Sequence, residues 1–290
     1  FSLTINDTSG SNQDTFQAGA ALTVNGDLSV LDETLDLNGN DLTVTGTSTI
    51  AAAGTLTMGA GNFGATGDVT SAGTFTSAAG TETLAGNLTV TAGAVTAGTG
   101  ATDLNGNLTI SGGTYTATSG TTTLAGDIDS SGGGTFTHNS GTVTMDGTDQ
   151  HFIGSNTFNN LSKTSAGAET LSFTAGTTQT VAGTLTLDGS AGNVITINDN
   201  GAASGATINV TGSFGTIDYV DVIWSTLQDG GVTKSPELNP ANSTDSGNTA
   251  GWFTYITVSG TAIQNDLATP LADGKTIKLL VNGAAGQTTT

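Results

Sequence analysis

The sequence predicts an all-β fold, a right-handed parallel β-solenoid of about 20 residues and three short strands per coil, followed by a C-terminal antiparallel β tail. Three observations predict it. Short segments return at a near-constant spacing: Gly86-Asn87-Leu88-Thr89-Val90, then Gly106-Asn107-Leu108-Thr109-Ile110, then Gly126-Asp127-Ile128-Asp129-Ser130. A second segment does the same, in Gly73-Thr74-Phe75-Thr76, Gly93-Ala94-Val95-Thr96, Gly113-Thr114-Tyr115-Thr116 and Gly134-Thr135-Phe136-Thr137. Finally, apolar residues fall into three lines with that same period. A fixed short period marks one structural unit stacked many times. The right hand is expected from the rule for parallel crossovers.

The first line is Leu22, Leu42, Phe63, Leu84, Leu104, Leu124 and Met145. The second is Leu28, Val69, Leu88, Leu108 and Ile128; the third is Leu35, Leu56, Phe75, Val95, Tyr115 and Phe136. Residues two apart, such as Leu88 and Val90, share a face, and the threonine between them points outward. Gly86, Gly106 and Gly126 are expected at corners, where the chain needs positive φ or close backbone approach. Residues 1–253 would make about 12 coils and a rod roughly 60 Å long.

The domain reading places the rod at residues 1–229, an irregular cap at 230–253 and a β-strand tail at 254–290. The repeat loosens after Met145, and Gly215 to Val222 reads as one alternating strand. The cap contains Pro236, Pro240 and the polar run Asn242 to Asn248. The tail reads as a strand from Tyr255 to Ala262, a turn from Pro270 to Lys275, and a strand from Thr276 to Gly283. It is short for a domain of its own.

Composition excludes several classes. The chain has 290 residues, 44 of them Gly, no cysteine, and a formal charge of −20. Its four basic side chains are all lysines: Lys163, Lys234, Lys275 and Lys278. Nucleic acid and anionic membranes need a basic footprint that this chain lacks. No stretch approaches the roughly 20 apolar residues of a membrane span. Without cysteine there is no disulfide framework. A chain beginning at Phe1 without Met is expected to be a processed form or a fragment.

Residues His138 to Thr148, followed by Phe158-Asn159-Asn160-Leu161, resemble repeat units of very large bacterial surface proteins. Ile217 to Val222, with Asn242 to Asn248 and Trp252-Phe253, does the same. The resemblance is to the β-helices of filamentous haemagglutinins and autotransporter passengers. The tail around Val258-Ser259-Gly260-Thr261 and Asp273-Gly274-Lys275-Thr276 resembles the start of an immunoglobulin-like or carboxypeptidase-regulatory-like sandwich. This resemblance implies an extracellular, cell-surface structural role and brings no catalytic residue.

No catalytic residue and no cofactor is assigned. His138 and His151 show no obvious Asp or Ser partner nearby in sequence, and acid–base catalysis needs one within reach. Weak calcium candidates are Asp218, Asp221 and Asp245, read against solvated carboxylates as the alternative; Asp32, Asp36 and Asp41 cluster across early turns. None matches a known calcium loop. Asn87 and Asn107, with Asp68 and Asp127 at equivalent places, are expected to form a corner ladder, although Asn87-Leu88-Thr89 and Asn107-Leu108-Thr109 also fit a glycosylation sequon. Tyr219, Trp224, Trp252 and Tyr255 gather aromatics near the C-terminal end, for packing at a cap or between subunits, or for stacking on sugars.

A solenoid has two open rims of unpaired backbone. The expected assembly surface is Phe1, Leu3 and Ile5 at one end, and Trp252, Tyr255, Ile256, Val258, Ile277, Leu279 and Val281 at the other. The leading expectation is a head-to-tail homopolymer, with self as the partner. The alternatives are an adhesin or stalk that binds cell-surface glycans and a polysaccharide-active enzyme.

Overall fold

The structure is a computed structural model that describes residues 1–7, 14–254, 277–281 and 284–289. The chain divides into two compact units, Phe1–Thr254 and Tyr255–Thr290. The first is a parallel β-solenoid of about eleven turns with about 21 residues per turn.

The chain visits three faces in rotation. Face A stacks twelve strands, from Leu3–Ile5 to Thr244–Gly247. Face B stacks seven, from Thr15–Gln17 to Thr135–Thr137. Face C stacks ten, from Leu22–Val24 to Ser213–Asp218. A further five-stranded sheet, face D, takes B's turn in the rotation from Thr157–Phe158 onward. Pairing between coils is parallel and in register, as in Leu88↔Leu108 and Tyr115↔Phe136. At the seam from B to D the aromatic rings carry the core across. Phe136 lies 5.1 Å from Phe158, which meets Phe152 at 5.6 Å, and Phe152 stacks on Phe173 at 5.1 Å.

The second and third apolar lines run as expected through faces A and B. The first line needs a correction. Leu22, Leu42 and Phe63 are stacked in register, but the next residues in that column are Glu82, Thr102 and Thr122. Leu84, Leu104, Leu124 and Met145 instead continue the column of Val24, Val44 and Ala65. A slip of two residues preserves inside–outside alternation, so the periodicity could not expose it. The consequence is a polar group in the core. Glu82 is 2% exposed, and its Oε2 accepts from Thr102 Oγ1 at 2.6 Å. Its Oε1 and the Tyr115 hydroxyl have no protein partner, and both residues line a cavity of about 20 Å³, the size of one water. Burial pushes the Glu82 carboxyl up, against the hydroxyls of Ser77 and Thr102. Burial also pushes the Tyr115 phenol up, with Glu82 adding to it.

Two other readings change. Gly215 to Val222 is not one strand. Ser213–Asp218 lies on face C and Val220–Ile223 on face A, with Tyr219 at φ 49° forming the corner. Segment 230–253, read as a cap, is woven into the stack. Ala241 bridges Asp218 on face C, Thr244 pairs with Asp221 on face A, and Ala250 bridges Thr226 on face D, so the segment follows the rotation of a coil. In the second unit Ile277–Val281 pairs antiparallel with Ala284–Thr289, a strand the sequence did not suggest. The expected strand at Tyr255 to Ala262 and the turn at Pro270 to Lys275 lie outside the described residues.

The corner glycines Gly86, Gly106 and Gly126 are explained by close approach and not by positive φ. A Cβ on Gly106 would stand 2.5 Å from the Gly86 carbonyl oxygen, and one on Gly126 would stand 2.5 Å from the same atom of Gly106. Gly64, in a face C strand, has nothing within 4 Å of such a position. Gly106→Ala should therefore lower stability by about 2 kcal/mol, and Gly64→Ala should stay within about 0.5 kcal/mol of wild type in denaturant titrations. Glu82 gives a second expectation. Its folded pKa lies above the ordinary 4.5, so the stabilisation from holding the proton is full below that value and is lost as pH rises through the folded pKa. Melting curves should show Glu82→Gln gaining on wild type as pH is raised from acid to neutral.

Candidate functional site

The first coil presents three strands with no strand beyond them among the described residues. Each uses only half of its backbone groups. Leu3 N–H donates to Asp27 O at 2.8 Å, and Ile5 O accepts from Leu31 N–H at 2.9 Å. In a parallel strand the intervening residue faces the opposite way, so Thr4 turns its N–H and C=O to the open rim. On face C, Leu22 N–H donates to Asp41 O and Val24 O accepts from Thr45 N–H, which leaves Thr23 facing outward along the axis in the same way. On face B, Asp14 O accepts from Thr34 N–H and Ala18 N–H donates to Asp36 O, so the outward groups there are those of Thr15 and Gln17.

Apolar surface accompanies these unpaired groups. Phe1 is 72% exposed and Phe16 45%. Leu3 and Leu22 are half-buried, and Ile5 is already buried in its own core. Phe16 was missed by the sequence reading. It stands one coil before Leu35 in the third apolar line, and that register was the available signal. Nearby, burial holds the Glu33 carboxyl above its ordinary range, and the charges of Asp32, Asp14 and Asp7 add to this against a backbone bond from Asp14.

At the other end of this unit Thr244–Gly247 is the last strand of face A, with none beyond it among the described residues, and Trp252 covers the core. Trp252, expected on the assembly surface, is fully buried, and its indole Nε1 donates to Ser225 Oγ at 3.2 Å. It belongs to the core because the closing segment folds it over face D. Val232–Thr233 turns back antiparallel on Ser225–Asp229, leaving Val232 67% exposed. Tyr219 and Trp224 are half-buried corner residues with positive φ. Tyr255, Ile256 and Val258 lie outside the described residues. Ile277, Leu279 and Val281 lie on the paired strand Ile277–Val281 of the second unit.

The calcium candidates do not converge. Asp218 accepts from Tyr219 N–H and Asn242 Nδ2, Asp221 from Ser246 Oγ, and Asp245 from Gly247 N–H. The corner at Tyr219 sends Asp218 and Asp221 to different faces. Among the described residues no three His, Cys, Asp or Glu side chains gather as a metal site. The His138 ring accepts from Ser140 N–H, and the His151 ring meets the Thr174 hydroxyl at 3.1 Å. Lys163 is fully buried, held by Glu169 Oε2 at 2.6 Å, Gln150 Oε1 at 3.0 Å and the Gly147 carbonyl.

The corner ladder is present. Asp68 Oδ1 accepts from Asn87 N–H, Asn87 Oδ1 from Asn107 N–H, Asn107 Oδ1 from Asp127 N–H and Asp127 Oδ1 from His151 N–H, all within 2.9 Å. Each side chain thus holds the backbone of the next coil, which gives the repeated Asn a structural role independent of any glycan.

Trp252→Ala should cost about 3–5 kcal/mol, the range for emptying a fully buried large site, and should show first as loss of the closing coil by hydrogen exchange. No protein-family profile matches the chain, and neither does any curated protein or solved structure.

Proposed function

We propose that this chain is an extracellular structural protein, the subunit of a surface filament built head to tail by β-strand addition. The observation that carries this reading is the open first coil. Among the described residues, three strands there have no strand beyond them and turn N–H and C=O groups outward beside exposed Phe1 and Phe16, and at the opposite end Trp252 covers the core. Solenoids ordinarily cap an edge or use it. A strand that adds to such an edge gains backbone hydrogen bonds along its length and pockets for alternate side chains. A heterologous contact of this kind propagates into a filament. The donor in this reading is the C-terminal unit of a second copy. The resemblance of residues His138 to Thr148 to bacterial surface repeats agrees with a role outside the cell. A second reading is a binding stalk of a larger surface protein, and what favours it is an uncharged double row of threonines on face B.

Thr4→Pro tests the proposal without disturbing the internal ladder. Proline is tolerated at an edge position whose N–H faces outward, but it removes the donor an incoming strand needs. By electron microscopy the wild type should form linear assemblies, and Thr4→Pro should remain monomeric with an unchanged melting curve. Deleting residues 255–290 should have the same effect. Fibres of wild-type length from either variant, or a wild type that stays monomeric at high concentration, would reject the proposal.

A further inference from the structure

Face B divides its side chains differently from the other two. Faces A and C turn two residues of a strand inward around one outward residue, as in Leu88-Thr89-Val90. Face B turns one residue inward between two that face out, as in Thr74-Phe75-Thr76 and Thr114-Tyr115-Thr116. Parallel register then aligns two outward rows. One is Thr55, Thr74, Ala94, Thr114 and Thr135; the other is Thr57, Thr76, Thr96, Thr116 and Thr137. Neighbours along a row are about 4.8 Å apart, and the rows are separated by two residues of strand, about 6.6 Å.

Three properties of this array point to a ligand. No hydrogen bond among the described residues uses any of its nine hydroxyls. Thr91, Thr99, Thr102, Thr118 and Thr123 donate to protein oxygens, whereas Thr70, Thr89 and Thr109 on face A make no such bond among the described residues, so what sets face B apart is the doubled row and not free hydroxyls alone. No charged side chain stands in either row from Thr55 to Thr137, in a chain whose net charge is −20. Threonine is also stiff at χ1, so each coil can repeat the same placement of methyl and hydroxyl.

The partner that fits is neutral, periodic in two dimensions at close to the strand spacing, and able both to donate and to accept hydrogen bonds. A crystalline water surface has these properties, since the oxygen rows of ice repeat at nearly the distance between coils. Sugar chains fit less well. They are held largely by stacking on exposed aromatic rings, and on this face Phe75, Tyr115 and Phe136 all point into the core. We propose that face B between Thr55 and Thr137 binds ice, its hydroxyls joining the lattice and its methyls seated between lattice rows.

The test is uptake of the full chain into a slowly growing ice hemisphere, together with crystal shaping under a microscope. The wild type should be incorporated and should facet the crystals. A Thr74→Tyr, Thr96→Tyr, Thr116→Tyr variant should lose incorporation by about ten-fold or more. Thr70→Tyr, Thr89→Tyr, Thr109→Tyr, on the outward row of face A, should retain it. Circular dichroism and melting curves check that both variants stay folded. The wild-type measurement is decisive without them: exclusion of wild type from ice, or binding to crystalline cellulose or chitin without binding to ice, would overturn the proposal. So would equal incorporation of the face B variant, or an equal loss in the face A variant.

Discussion

Parallel backbone pairing between successive coils sets the spacing of everything else in this rod. Each strand lies about 4.8 Å from its equivalents, and each side chain stands on its counterpart one coil away. Like therefore stacks on like, and whatever a position carries is multiplied along the axis. For Leu, Val and Phe this yields a continuous apolar column. For a carboxylate it would yield repulsion of about 1 kcal/mol per neighbour in water and several-fold more near a low-dielectric surface. The chain avoids that by interleaving. The corner column runs Asp27, Thr47, Asp68, Asn87, Asn107, Asp127, so its acids are separated by neutral residues that can accept or donate. The pair Asp188↔Asp218 departs from this pattern, with Asp218 held by the Asn242 amide.

The same constraint explains why so much glycine is compatible with order. At the Gly86, Gly106 and Gly126 corner the backbones of adjacent coils approach so closely that a methyl group would overlap a carbonyl. Glycine there is a steric requirement repeated at Gly46, Gly67, Gly86, Gly106 and Gly126. At Gly93 and Gly113 positive φ is added to the same close approach, since a Cβ there would stand 2.1 and 2.4 Å from a carbonyl oxygen of the preceding coil. Close approach thus acts at the turns on both sides of face A, and positive φ joins it at one of them.

Repetition also makes surfaces. A rod whose outer residues recur in register presents rows of identical groups at fixed spacing, and the chemistry of one position becomes the chemistry of a face. Its terminal coils differ, because among the described residues they are stacked on one side only. The ends and the faces are the two places where such a fold can do more than separate what lies at either side of it. The interior is occupied by packing, including the buried Lys163–Glu169 pair and the Glu82–Thr102 contact.

The period, the three strands per coil, the inward lines on faces A and B, and the Asx ladder were legible in the amino-acid sequence. Repeated environments select repeated residues, and Leu88, Leu108 and Ile128 could not recur by chance with Gly and Asn or Asp at constant offsets. The candidate rim was legible in part. Phe1, Leu3 and Ile5 read as a strand, but Phe16 was missed and Trp252 was placed outside when it belongs to the core. What only the tertiary structure decided was how far around each coil the chain travels before pairing. Phe63 stacks on Glu82 and not on Leu84, and Tyr219 breaks an apparently continuous strand into two faces. Alternation is unchanged by a slip of two residues, so local pattern fixes which side of a strand faces inward. Only closure of the coil fixes which residue lies on which.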